Sequence, residues 1–113
     1  MTNQGASISR GDVVWAVDPF KDEPAARPLI VISNSSHPFE NEQWLATVVS
    51  TTPRNAALKL TNEVWRDGSL PQTSYAYPWA ILSPRIEQID YIVGSVTSPF
   101  VDQIITNLNS YLE

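Results

Sequence analysis

The chain of 113 residues contains no cysteine and a single histidine. Without cysteine it can form neither disulfides nor thiolate metal ligands, and one histidine is too few for a multi-histidine metal site. These two absences fit a reducing, intracellular setting and argue against metal-centred chemistry.

The sequence also lacks a long apolar run, and its first ten residues lack the pattern of a signal peptide. A membrane-spanning helix needs roughly 20 consecutive apolar residues, far more than any stretch of this chain provides. Basic residues are scarce as well, since 7 Lys and Arg against 12 Asp and Glu give a net charge of −5. An acidic surface repels phosphate, so any nucleic-acid contact must be local. We expect a cytoplasmic protein with no membrane contact.

What is present is the composition of one globular domain, with 42% apolar and 17% charged residues. The length is too short for two ordinary domains, and the composition does not match that of disordered chains. Residues 1–9 are small and polar without a period, and we expect them to form a flexible tail. Residues 10–113 are expected to form the single domain.

Short apolar runs bounded by turn residues predict a series of strands. The continuous run Pro28–Ser33 predicts a strand that is buried on both faces. Pro78 is expected to end or bend the strand that precedes it. The other predicted strands are Val13–Val17, Trp44–Ser50, Ala57–Leu60, Ser74–Tyr77 and a short one within Ile86–Val93, with loops at Phe20–Arg27 and Asn34–Glu42 and a turn at Asp67–Gly68.

One helix is predicted at the C-terminal end of the chain. Ser98 suits the N-cap and Pro99 the first helical position. The apolar residues after Pro99 recur at helical spacing and form one stripe. They are Val101, Ile104, Ile105, Leu108 and Leu112. Short strands followed by one amphipathic helix predict a mainly β, α+β domain, in which a small curled antiparallel sheet or barrel carries the helix on one face or end.

Phosphate-binding glycine loops and the HExxH zinc motif are missing, and a serine–histidine–acid triad has no support beyond the presence of these residue types. An ordered set of short motifs stands out instead. Arg10-Gly11-Asp12 precedes a strand that contains Trp15, Arg27-Pro28 enters the second strand, and the hydroxyl residues Ser50, Thr51 and Thr52 end the third. This order resembles the PemK/MazF family of growth-inhibiting toxins.

The resemblance implies an SH3-like small barrel with a C-terminal helix, paired as a homodimer and blocked by a cognate antitoxin. It further implies a sequence-selective endoribonuclease that cleaves single-stranded RNA by 2′-OH attack and needs no metal or other cofactor. By the same resemblance Arg27 and Thr51 lie at the scissile phosphate, with Thr52 as the neighbouring choice. A guanidinium suits this place because it can clamp the developing phosphate charge with two hydrogen bonds.

The second half departs from the family, in which many members carry Asp-Gln-x-Arg or Asp-Gln-x-Lys on a later strand. In the comparable segment here, Trp79, Ala80 and Leu82 replace the acid, the amide and the base. His37 is then a candidate for proton transfer, because its unperturbed pKa lies near neutrality. Further candidate RNA contacts are Thr52, Arg54, Lys59, Arg66 and Arg85.

Structural explanations exist for each of these residues. Arg27 can pair with Asp22 or Glu23 in an ordinary surface ion pair, and hydroxyl residues before a proline often satisfy backbone groups at a strand end. His37 can be a solvated loop residue. The tryptophans Trp44, Trp65 and Trp79 can be core or interface residues before they are base-stacking platforms. The sequence therefore leaves open a non-catalytic RNA- or peptide-binding module on the same barrel, or a structural dimer element within a larger complex.

Overall fold

A computed structural model describes residues 8–17 and 26–113 of the chain. Its main element is a seven-stranded sheet in which every paired strand is antiparallel and the order is β4-β6-β3-β2-β1-β7-β5. The strands are β1 Asp12–Val17, β2 Ala26–Val31, β3 Ala46–Ser50, β4 Leu58–Lys59, β5 Trp65–Gly68, β6 Tyr75–Leu82 and β7 Ile89–Val96, and the helix α1 is Ser98–Ser110. The predicted mainly β domain with a C-terminal helix is confirmed.

The sheet buries apolar residues on both faces, and β2 shows why. Its side chains alternate, so that Ile30 joins a cluster beneath α1 while Leu29 and Val31 join a second cluster on the other face. The first cluster also holds Leu60 beside β4, with Trp65 of β5 packed against it. Because β4 and β5 are the two ends of the strand order, the sheet curls around the helix.

The second cluster is covered by residues that lie outside the strands. Trp44, just before β3, and Ile8, ahead of β1, are buried there, and Ile86 packs against it from the turn between β6 and β7. Ile8 belongs to the predicted tail, of which residues 1–7 lie outside the described residues. The strand buried on both faces that was predicted at Pro28–Ser33 is confirmed as β2, although β2 ends at Val31 rather than at Ser33.

Several predicted boundaries were wrong. The strand predicted as short within Ile86–Val93 is the eight-residue β7, which continues through Gly94 to Val96. Ala26 and Arg27 belong to β2 rather than to the preceding loop, of which residues 18–25 lie outside the described part of the chain. The predicted turn at Asp67–Gly68 is part of β5, which pairs with β7. At Gly94 a Cβ atom would lie 2.2 Å from the carbonyl oxygen of Asp67, so only glycine allows this close pairing.

Pro78 bends β6 without ending it. Val48 of β3 pairs with Tyr77 and its neighbour Thr47 pairs with Ile81, so Pro78, Trp79 and Ala80 have no partners on β3. We call these three residues the β6 bulge. The buried Thr47 hydroxyl donates to the carbonyl oxygens of Tyr77 and Ala80. These contacts connect β3 to the bulge where the regular pairing is missing. Of the two outcomes predicted for Pro78, an end or a bend of the strand, the bend is the one observed, and β6 continues to Leu82.

The helix starts one residue earlier than predicted, with Thr97 rather than Ser98 at the N-cap. Val101 and Ile104 of the predicted stripe are buried, Ile105 and Leu108 are half-buried, and Leu112 lies exposed beyond the end of the helix. In the described part of the chain, no helix has the length and apolar character needed to cross a membrane.

Asp12, at the start of β1, is expected to make the stability of the folded protein depend on pH. Burial raises the pKa of its carboxyl above the ordinary value of 3.8, although a hydrogen bond from the Ser9 amide and the positive charge of Arg66 oppose the shift. Between 3.8 and the raised pKa the folded protein therefore binds more protons at this site than the unfolded chain. The contribution of Asp12 to stability must fall as the pH rises through this window.

Asp12→Asn keeps an oxygen for the Ser9 amide but removes the charge. We expect the stability of the variant relative to wild type to increase as the pH rises from below 3.8 to neutrality, measured by chemical denaturation at each pH. A stability difference between variant and wild type that stays constant over this pH range would contradict a raised pKa for Asp12.

Candidate nucleic-acid interface

The strand registers bring a row of polar side chains to one end of the sheet. Tyr75 of β6 pairs with Ser50 of β3 on one side and with Lys59 of β4 on the other, and paired residues of antiparallel strands share a face. Leu29 pairs with Val48, so Arg27, two residues before Leu29, lies at the same end and on the same face as Ser50. We call this the Arg27 end of the sheet.

The predicted residue Thr51 follows β3 directly at the Arg27 end and is exposed. It lines a groove of about 220 Å³ together with Pro28, the neighbour of Arg27, and Trp15 of β1. The other lining residues are Val49, Ser50, Leu70, Pro71, Gln72 and Ser74. The structure thus brings Arg27 and Thr51 to one end of the sheet. Thr51 lines the groove, which has apolar walls and hydroxyl groups along it, whereas Arg27 is not among the lining residues.

Two hydrogen bonds hold the segment after β3. The Thr52 amide donates to Oγ of Ser50 at 3.1 Å, and the Tyr77 hydroxyl donates to the Thr52 carbonyl oxygen. The predicted contacts Arg54, in the loop that follows, and Lys59, on β4, are both exposed. Because β4 pairs with the first residues of β6, these two cations also belong to the Arg27 end.

His37 and Arg85 lie at the opposite end of the sheet. His37 is in the loop between β2 and β3, where its Nδ1 accepts a hydrogen bond from the Phe39 amide at 3.0 Å. Arg85 forms an isolated bridge with Gln43 in the same region. The five residues of β3, at about 3.3 Å each, separate the two ends by roughly 16 Å. Within one chain, neither residue shares a site with Arg27 and Thr51.

Arg66, another predicted RNA contact, lies apart from Arg54 and Lys59. It lies on β5, which the strand order places at the other edge of the sheet from β4, and its charge acts on Asp12. Residue types alone pointed to Arg66 as readily as to Arg54 or Lys59. Only the strand order separates them.

Ser50, Tyr75 and Tyr77 belong to the Arg27 end, although sequence reasoning did not select them. The alternation of Tyr75-Ala76-Tyr77 was a usable signal, because it places both tyrosines on the face opposite Ala76. Among the described residues, no three His, Asp or Glu side chains come together in a group that could hold a metal ion.

No family model and no curated protein sequence matches the chain. Among solved structures, an endoribonuclease from a mycobacterial species superposes with a TM-score of 0.70 at 22% identity, covering 93% of this chain and 90% of that one. The MazE–MazF complex from Deinococcus radiodurans gives 0.68 at 15%, covering 93% and 94%. The Mycobacterium tuberculosis toxin MazF-mt6 gives 0.68 at 11%, covering 91% and 96%.

The chain has the MazF fold. The resemblance that the sequence showed from Arg10-Gly11-Asp12 onward is therefore confirmed in the fold. The MazF fold extends over almost the whole chain, including the second half, where Trp79, Ala80 and Leu82 depart from the family pattern. Trp79 and Ala80 lie in the β6 bulge, and Leu82 is the last residue of β6.

Proposed function

We propose that this protein is the toxin of a type II toxin–antitoxin system and acts as a metal-independent endoribonuclease on single-stranded RNA. The observation that carries this proposal is the MazF fold of the sheet, with Arg27 and Thr51 at the same end of it. The mycobacterial and Deinococcus neighbours are an endoribonuclease and a MazE–MazF complex, which supports both the activity and the antitoxin partner.

Attack of an RNA 2′-OH on the adjacent phosphorus forms the O2′–P bond and builds negative charge on a pentacoordinate phosphate. The P–O5′ bond then breaks, which leaves a 2′,3′-cyclic phosphate, and the proton lost by the 2′-OH is balanced by the one gained by the departing 5′-oxygen. The Arg27 guanidinium can bind two oxygens of the pentacoordinate phosphate in parallel, which favours this state over the singly charged ground state. Thr51 would orient the phosphate or the attacking hydroxyl. The row formed by Arg27, Ser50, Tyr75 and Lys59 offers cations and hydroxyl groups, and no carboxylate or histidine stands among these four residues. Electrostatic stabilisation by Arg27 is the main catalytic contribution in this proposal.

In this proposal the protein is a cytoplasmic homodimer, and its cognate antitoxin covers the RNA site. Apolar side chains remain exposed at the end of β1 and on β7, namely Val17, Tyr91 and Ile92, which supports pairing of two copies. The groove beside Thr51 has apolar walls from Trp15, Pro28 and Leu70 that suit an antitoxin segment.

The decisive experiment uses the purified protein free of antitoxin, with EDTA and a long single-stranded RNA. We expect cuts at a few sequence-defined sites that leave 2′,3′-cyclic phosphate ends. Cleavage that stops when EDTA is added would overturn the metal-independent mechanism. The absence of any cleavage would overturn the proposed endoribonuclease activity.

A non-catalytic RNA-binding module on the same fold is the second candidate. It is favoured by the replacement of the family's acid, amide and base by Trp79, Ala80 and Leu82, and by the position of Arg85 at the far end of the sheet. Binding of RNA that depends on Arg27 but never leads to cleavage would establish it.

A further inference from the structure

Two aromatic rings on β6 form a stacked pair at the surface. The ring centroids of Tyr77 and Trp79 lie 4.6 Å apart and the ring planes differ by 15°. Tyr77 is half-buried against the second cluster, whereas 41% of Trp79 is exposed. The tryptophan ring is thus stacked on a half-buried tyrosine ring, while part of its surface remains open to solvent.

The β6 bulge explains why a tryptophan is exposed there. Pro78 is fully buried and anchors the bulge, and the Thr47 hydroxyl bonds to the carbonyl oxygens on both sides of it. A bulge bends the strand that carries it, and within this one Trp79 stacks on Tyr77, two residues earlier. Since both flanks are tied to buried groups, the position of Trp79 is fixed by the fold.

The stack is also attached to the proposed catalytic segment. The hydroxyl of Tyr77 donates to the carbonyl oxygen of Thr52, the residue after Thr51. One side chain therefore contacts the exposed tryptophan with its ring and the Thr51–Thr52 backbone with its hydroxyl. Tyr77 thus links the exposed tryptophan to the segment proposed to hold the scissile phosphate.

We propose that the Tyr77–Trp79 stack is a platform for one base of the single-stranded RNA, adjacent to the scissile phosphate, and that Tyr77 positions Thr51 through Thr52. This inference rests on the proposed function and extends it to substrate binding. Charge favours RNA as the occupant, because Arg27, Arg54 and Lys59 place three of the seven basic residues of an acidic chain at this end. Stacking accepts any base, so the platform adds affinity without adding sequence selectivity.

The first test measures binding without cleavage. A short RNA carrying 2′-deoxy substitutions at every position that could attack is titrated into wild type, Trp79→Ala and Trp79→Phe. Loss of one base–aromatic stack weakens binding by about 10- to 100-fold, so we expect this loss for alanine and a change of less than about threefold for phenylalanine. Leu45→Ala is the matched control, since Leu45 is 42% exposed but lies at the opposite end of β3, and we expect it to bind as wild type.

Tryptophan emission gives a second, independent measurement. Stacking of a base should quench the fluorescence of Trp79, so the quenching seen when RNA is added to wild type should largely disappear in Trp79→Phe. The other three tryptophans of the chain remain in both proteins and supply the background. Quenching that persists unchanged in Trp79→Phe would overturn the platform.

Tyr77→Phe tests the positioning role, because it keeps the ring and removes only the hydroxyl. We expect it to bind the uncleavable RNA as wild type but to cut RNA with a lower kcat and an unchanged KM. An equal kcat would overturn this role of Tyr77.

The outcomes separate this inference from the proposed function. If wild type cuts RNA and Trp79→Ala binds it equally well, the platform is overturned while the endoribonuclease stands. If Trp79→Ala binds RNA normally but loses self-association or antitoxin binding, Trp79 is a protein contact and the platform is overturned. If wild type binds RNA through Trp79 but never cuts it, the platform holds and the enzyme is overturned.

Discussion

Replacing Arg27 with alanine is expected to lower the rate of RNA cleavage by about 10²- to 10³-fold, as the loss of a preorganised charge-stabilising group does in other enzymes. Arg27 lies half-buried near the start of β2, at the end of the sheet where Thr51 also lies. Its proposed interaction with phosphate strengthens as charge develops in the transition state. The effect should therefore appear in kcat more than in KM. Single-turnover cleavage of a defined RNA gives the measurement.

Three variants make this result specific. Arg27→Lys retains the charge but loses the pair of parallel hydrogen bonds, so its rate should fall between those of wild type and alanine. Arg85→Ala removes the same side chain from the opposite end of the sheet and should cut as wild type, and His37→Ala should do the same. Cleavage by Arg27→Ala at the wild-type rate, with a folded protein, would show that the site lies elsewhere.

The strongest local patterns in the sequence predicted the core of the fold. The run Pro28–Ser33 is too apolar for a strand with one wet face, and burial on both faces is the arrangement observed for Leu29, Ile30 and Val31. The stripe that includes Val101 and Ile104 likewise predicted the buried face of α1. The continuous apolar run in β2 and the helical spacing in α1 thus indicate which side chains face the interior.

The features that the sequence did not predict depend on contacts between distant segments. β5 is a strand because Gly94 of β7 allows the Asp67 backbone to approach, and nothing in residues 65–68 alone indicates this. The β6 bulge depends on Thr47, about 30 residues earlier in the chain, which satisfies the carbonyl groups that the missing pairing leaves open. The residues around Pro78 alone therefore left open whether the strand ends or bends there.

In the candidate site, too, some residues could be predicted from local sequence, whereas others depend on contacts between distant segments. The family resemblance predicted Arg27 and Thr51, and the register of β2 with β3 brings both to one end of the sheet. His37 was chosen because its residue type suits proton transfer, but residue type does not reveal at which end of a strand a loop lies. The bond from Tyr77 to Thr52 spans 25 positions in the chain and depends on the β3–β6 register, which no short motif encodes.

Ile104→Ala should be among the most destabilising single substitutions in α1. The side chain of Ile104 is 0% exposed and packs in the cluster between α1 and the sheet. Truncation of a buried isoleucine to alanine costs about 2 to 5 kcal/mol, a large share of the roughly 5 to 15 kcal/mol by which domains are stable. We expect a drop in Tm of about 10 °C or more by thermal denaturation. Ile105→Ala, at a half-buried position, should cost less, and Leu112→Ala, at a position that is 72% exposed, should leave the Tm nearly unchanged. Equal midpoints for the Ile104 and Leu112 variants would mean that α1 does not pack on the sheet in solution, because burial is the physical difference from which the two expectations derive.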